Sequence, residues 1–411
     1  MKFLTFLILF FVAVNTVAHE DHTKHQKSNL AVSIAFDTAG NLWRASVHDG
    51  FVQVDKSSDL GKTFATPIKV NLKGQKIGAD GEARPKIAVG LEGNIYVTWT
   101  EALKTPFAGY IWFARSIDAG KTFEKPYIVH QHRAEITHRF DALNVASNGN
   151  ITVSWVDKRD LMAAKLANKP YTGAAIYYAV SSNKGASFAP ELKLADSSCE
   201  CCRIATTNKP DGTVVALWRH VFAGSERDHM IAEIPPFNNK FNEKVVSHRA
   251  TFGHWVIDGC PHHGAAITSG GSATNWWGYH MAYFDGNDAN NSNKTGISNN
   301  TGPGLFYSRM DGEAWVASPP KKFGDNNNQA GHPALLSIDE NVWLVWREIY
   351  GGKTSILGMF SNDGGRSWNE AKTLASTQQK ADYPNLIAHK NQVYLSWNTL
   401  QDGLQIIALK P

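Results

Sequence analysis

The feature that most constrains the fold is a pattern that recurs seven times between residue 30 and the end of the chain. Each copy is a short apolar run, a Gly/Asn/Asp turn, and a second run that ends in Trp or another large residue. The copies fall at 30–36 with 41–47, 85–89 with 94–99, 140–146 with 150–155, 203–207 with 213–218, 265–268 with 278–284, 333–338 with 341–346, and 384–388 with 392–397. Runs this short, rich in β-branched and aromatic residues and bounded by turn formers, read as strands. A four-strand unit repeated every ~50–70 residues cannot bury its apolar faces alone, so it must stack on its neighbours. The expectation is an all-β fold: a β-propeller of seven four-stranded blades, with six as the alternative because the fifth copy is degenerate. The last unit offers only three strands, so its fourth must be absent or come from elsewhere, such as the N-terminal segment.

A second signal keeps a fixed phase inside four of the units. Residues 58–64, 116–123, 181–188 and 361–368 each combine Ser, Asp or Asn, Gly, Ser or Thr, and a closing Phe or Trp. Asp and Ser/Thr side chains bond backbone in tight turns, Gly supplies positive φ, and the aromatic is available for burial between units. The turn should lie between the third and fourth strands. These stretches resemble the Asp-box repeat of the sialidase-like propeller superfamily. The resemblance runs over nearly all of the chain after the leader, at the level of the fold, and the box itself is scaffold.

The resemblance implies an arginine triad on a sugar carboxylate, for which Arg84, Arg139 and Arg203 are the candidates because they head three consecutive first strands. It also implies a tyrosine nucleophile with a glutamate partner and an aspartate acid/base. Tyr383, Glu348 and Asp80 are loose candidates. The family's Arg-Ile-Pro signature is missing: Arg84-Pro85 lacks the Ile, and Arg203-Ile204-Ala205 lacks the Pro. Salt-bridging between blades is the plainer role for each arginine.

Residues 1–18 read as a signal peptide, with Lys2, an apolar run and a Thr-Val-Ala cleavage site. The apolar run is too short to span a bilayer and no later stretch reaches the length a spanning helix needs. The expectation is an exported protein, periplasmic or extracellular, with a 19–29 tail carrying His19, His22 and His25 and a single domain over 30–411. Stretches 158–175 and 285–304 read as surface insertions, the first with a helical turn or two. Lys+Arg total 41 against 37 Asp+Glu, without a basic block or helix, which argues against nucleic acid and anionic membrane as partners.

In an up-and-down blade the start of the first strand and the end of the second share one face, and the boxes lie on the other. That face should therefore gather Arg84, Arg139, Arg203, Asp382 and Tyr383 from the first strands, and Asp157, Arg219, Arg347 and Glu348 from the second. All four cysteines belong to it as well, in Cys199-Glu200-Cys201-Cys202 and Cys260-Pro261-His262-His263. Consecutive units are neighbours, so Cys199, Cys201, Cys202, Cys260, His262 and His263 should converge, with His332 one unit further round. Thiolate with imidazole suits copper, and zinc fits the same ligands. Two disulfides are the plain alternative, although a bond between the adjacent Cys201 and Cys202 is strained; a redox-active thiol pair is a third. The sequence therefore leaves three functions open: metal handling or metal-dependent redox chemistry, with copper expected; a sialidase-like hydrolase acting on an anionic glycan; or a non-catalytic binding scaffold.

Overall fold

The computed structural model describes residues 30–234, 245–287 and 302–411. The leader, the histidine tail and the centre of the 285–304 insertion lie outside the described residues. The rest is all-β. The sheets contain antiparallel strands in up-and-down order, and each begins with the run-turn-run pattern of the sequence.

The first unit is Ser33–Phe36, Leu42–His48, Phe51–Ser57 and Ile68–Lys69, and the second is Lys86–Val89, Ile95–Ala102, Gly109–Ser116 and Tyr127–Ile128. The third (His138–Val145 to Leu192–Ser198) and fourth (Ala205–Asn208 to Ser247–Arg249) merge into one nine-stranded sheet through the Ser198–His220 pair. The fifth runs from Ala266–Ser272 to Lys321–Phe323 and the sixth from Gly331–Ile338 to Lys372–Thr377. The seventh has three described strands, Asn385–His389, Gln392–Thr399 and Gly403–Leu409. The 158–175 insertion carries a two-turn helix, Arg159–Leu166.

Second strands are buried along most of their length because a sheet pressed between two others has little solvent face. Every residue of Ile151–Asp157 is buried. Trp99, Trp155, Trp218, Trp346 and Trp397, each in the second half of its second strand, are among the largest fully buried side chains. Truncating such a ring to Ala costs about 3–5 kcal/mol.

The boxes lie between third and fourth strands, and their hydrogen bonds are local. In the first box the serine is Ser57, not Ser58: its Oγ accepts from Gly61 N at 2.8 Å and donates to Asp59 at 2.7 Å. Asp59 in turn accepts from Thr63 N and Thr63 Oγ1 at 2.9 and 2.7 Å. Gly61 has φ +82°, and a Cβ there would stand 3.1 Å from Ile406 of the seventh unit. The equivalent glycines Gly120, Gly185 and Gly365 lie against Trp43, Phe113 and Tyr307, each in the preceding unit. Each box therefore docks its sheet onto the one before.

First strands touch in sequence order, and Ser33–Phe36 touches both Lys86–Val89 and Asn385–His389. The junction of first, second and last units is held by Arg84, which donates to both oxygens of Asp382 (Nη2–Oδ1 2.6 Å), to Val32 O at 2.9 Å and to Gly81 O.

Candidate functional site

The residues ahead of the first strands gather on the face opposite the boxes. Two of those strands carry an irregularity there. Phe140 and His332 have φ of +55° and +53°, and both sit where the strand register shifts. A bulge of this kind re-aims a side chain, and left-handed backbone at a non-glycine residue costs about 1–3 kcal/mol, a strain that functional sites tend to hold.

His332 is the centre of the constellation. Its Nδ1 lies 3.3 Å from Glu82 Oε1, and its ring stacks on Tyr383 with centroids 3.5 Å apart and planes 10° from parallel. Burial pushes its pKa down to about 4, so the imidazole is neutral at physiological pH. With Glu82 as acceptor, Nδ1 carries the proton and Nε2 the lone pair. Burial alone would raise the Glu82 carboxyl, but the Arg203 guanidinium and His332 outweigh it and hold the pKa well below the usual range. Burial raises the Tyr383 phenol, keeping it protonated. The loop 80–82 packs on Tyr383 so closely that a Cβ on Gly81 would stand 2.6 Å from the ring. Glu82, His332 and Tyr383 are thereby held together on this face, with the Arg347 guanidinium 5.0 Å from the Tyr383 ring centroid.

The three candidate arginines separate. Arg84 is consumed by the junction with Asp382. Arg203 donates to Ala265 O at 2.9 Å and Pro333 O at 2.8 Å, and meets Glu82 Oε1 at 3.5 Å, which spans units two, four, five and six. Arg139 is different: it stacks on Phe107 and Phe140 and, among the described residues, has neither a hydrogen bond nor an ion pair. Its nearest charged influences are Asp80 and Cys201. A half-buried guanidinium in this state has donors to spare for an anion.

Glu348 does not face this pocket. It accepts from Trp346 Nε1 at 2.8 Å, Asp325 N at 2.9 Å and Asn328 Nδ2 at 3.2 Å. Asp157 accepts likewise from Trp155 at 2.9 Å. A carboxylate two residues after the second-strand Trp caps the indole N–H, so both are packing groups. Glu82 is the glutamate of the site. Sequence reading missed it because it lies two residues before Arg84 in a loop; so close a carboxylate was the available signal.

The cysteines and histidines also divide. Cys199, Cys201 and Cys202 are buried and free, with Cys199 Sγ 3.6 Å from both other sulfurs. Exposed Cys260 reaches Cys201 but stands outside the group of three whose sulfurs lie within 4.8 Å of one another. None of His262, His263 and His332 joins the thiol group among the described residues. His263 stacks on Phe284 at 4.2 Å, and burial pushes its pKa down to about 3; His262 is exposed on left-handed backbone. A second cluster, Glu226, Asp228 and His254, already holds a cation, since Arg249 donates to both carboxylates.

Comparison with protein-family models returns no match, and neither does comparison with the curated proteins. Among solved structures, the chain is similar to a family 25 polysaccharide lyase, an ulvan lyase bound to -[GlcA(1-4)Rha3S]-: TM-score 0.53, 13% identity, 92% of this chain and 91% of the other. A Hadza microbial sialidase matches with TM-score 0.47 and 13% identity over 91% of this chain and 74% of its own. An α-L-arabinofuranosidase of Fusarium graminearum matches with TM-score 0.48 and 13% identity over 80% and 92%. The lyase match shows a shared propeller-type fold.

Proposed function

We propose that the chain is a closed seven-bladed β-propeller that cleaves an acidic polysaccharide on the face described above, with His332 as base and Tyr383 as acid. The seven-fold ring is supported by the cyclic contacts of first strands and by box glycines that each lean on the preceding unit, the first of them on the seventh. The cleavage reading is carried by one observation, a Glu82–His332 pair stacked on Tyr383; Arg139, whose guanidinium has no ion pair among the described residues, is the anion binder it would use.

Such a set suits elimination next to a uronate. Arg139 neutralises the carboxylate, which acidifies the adjacent C–H. His332 Nε2 takes that proton, a C=C bond forms as the C–O bond to the next sugar breaks, and Tyr383 protonates the leaving oxygen. Solvent then carries the proton from His332 back to Tyr383. Hydrolysis by two carboxylates has less support, since Glu82 is bound by Arg203 and His332 and Glu348 by Trp346, leaving Asp80 alone. The lyase that shares the fold is bound to a uronate-containing chain, which is the same class of ligand. Export, expected from residues 1–18, is consistent with such a substrate.

The test is incubation with uronate polysaccharides and, separately, with sialosides, following unsaturated uronate ends and free sialic acid. Unsaturated ends are expected, with His332→Ala and Tyr383→Phe each losing at least ~100-fold. Release of sialic acid would replace elimination by hydrolysis. Turnover indifferent to both substitutions would remove this face as the active site.

A further inference from the structure

The thiol group stands apart from that chemistry. We infer that Cys199, Cys201 and Cys202 form the core of a binding site for one thiophilic d10 cation, zinc(II) or copper(I), with Cys260 as its closing ligand and no histidine in the set.

Three observations carry this. The first is geometric. Sulfurs 3.6 Å apart are far beyond a disulfide bond of about 2.05 Å. They match the edge of a tetrahedron with metal–sulfur bonds of about 2.3 Å, which is about 3.8 Å long. The three sulfurs all lie within 4.8 Å of one another, on a turn that directs Cys199, Cys201 and Cys202 inward while Glu200 turns out to pair with Lys158.

The second is electrostatic. Arg219, 2% exposed, lies beside the thiols: its main-chain oxygen accepts from Cys199 N at 2.8 Å. Among the described residues its guanidinium makes no ion pair. It donates to the main-chain oxygens of Phe284 at 2.8 Å and His263 at 3.2 Å, its Nε has no acceptor, and Asp285 acts on it only at a distance. A buried cation without a counter-charge is costly. Three or four thiolates around a cation of charge +1 or +2 form a net anionic group, which supplies that counter-charge.

The third is the selection of ligands. Among the described residues no imidazole joins the thiol group: His332 bonds Glu82 and His263 stacks on Phe284. An all-sulfur set has no open position once Cys260 closes it, so the site holds the loop before unit four to the loop before unit five, next to Phe140 and Arg139. Its role is to fix the wall of the anion pocket.

The experiment uses the full chain, reduced and offered zinc(II) or copper(I) alone, with metal counted per chain and thiols titrated before and after chelation. One metal per chain is expected, with thiols masked until it is removed, and cobalt(II) substitution should give thiolate charge-transfer bands. Cys201→Ser and Cys202→Ser should bind substoichiometrically. Cys260→Ser, at an exposed position, should fold and bind more weakly, and Arg219→Met should lose affinity by about 10–100-fold. His263→Ala should keep full stoichiometry. Failure of the reduced protein to retain either metal would overturn the inference, as would loss of metal on His263→Ala or recovery of all four cysteines as disulfides. These readouts count metal and thiols and do not use glycan turnover, so the two readings fail separately.

Discussion

The two rims of the molecule are built on opposite logics. At the box rim, four turns repeat one set of bonds between residues two to four apart: Ser116 with Asp118 and Gly120, Ser361 with Asp363 and Gly365. On the other face the decisive bonds join residues far apart in sequence: Arg203 to Glu82 across 121 positions, His332 to Glu82 across 250, Arg84 to Asp382 across 298. None of these is repeated in another unit. Repetition marks what every sheet needs in order to dock. Singularity marks what the assembled molecule does once.

That contrast breaks most readily at Asp382. Asp382→Ala leaves Arg84 buried without its partner, and removing one member of a buried pair costs about 3–5 kcal/mol. Urea unfolding should show this as a lowered midpoint, and the double variant Asp382→Ala/Arg84→Met should recover part of it. A loss under 1 kcal/mol would mean that the junction is solvated and that the units are held by their sheets alone.

The next effect sharpens the comparison through pH. Asp285 ends the second strand of unit five; burial pushes its pKa up to about 6, while Asn287 N donates to it at 2.8 Å. A carboxyl raised in the folded state favours folding while protonated. Its contribution is full below pH ~4 and is lost as pH rises through about 6. Asp285→Asn should therefore be more stable than the parent at pH 8, by up to about 3 kcal/mol, with the difference vanishing near pH 4. The box carboxylates run the other way. Hydrogen bonds from Thr63 and Ser57 hold Asp59 down to about 2, so its contribution is present above pH ~4 and is lost as pH falls towards 2. Thermal melts from pH 3 to 8 would separate the rims, and equal slopes for parent and Asp285→Asn between pH 4 and 7 would refute the assignment.

The smallest effect belongs to a single box. Ser116 is fully buried, and Ser116→Ala removes the acceptor of Gly120 N and the donor to Asp118 at a cost of about 1 kcal/mol. Glycan turnover should be unchanged. A loss of turnover comparable to that of His332→Ala would erase the division between scaffold and site.

Legibility in the sequence follows the same division. Strand pairs, boxes and their phase are readable because period and turn chemistry are local. The first box was misread by one residue, since Ser57 and Ser58 are both serines and only the hydrogen bond to Gly61 N distinguishes them. On the opposite face, Tyr383 stacks on His332, while Asp80 acts on Arg139. Glu348 was preferred to Glu82 because its role as an indole acceptor depends on the side chain of Trp346 turning towards it. The arginine triad was drawn from position alone, whereas what separates Arg139 from Arg84 and Arg203 is which carbonyls and carboxylates other units bring. Cysteines and histidines adjacent in Cys260-Pro261-His262-His263 part because left-handed backbone at His262 sends them in different directions.

The Arg84–Asp382 junction also sets an order of events during synthesis. Asp382 and Tyr383 belong to the last 30 of 411 residues, while their partners Arg84 and Gly81 leave the ribosome some 300 residues earlier. Contacts of such separation form late, after the local hairpins. A chain truncated or stalled before residue 382 can fold hairpins and boxes, yet it has no Tyr383 for His332 to stack on. The Glu82–His332–Tyr383 set is thus assembled only after residue 383 has been made.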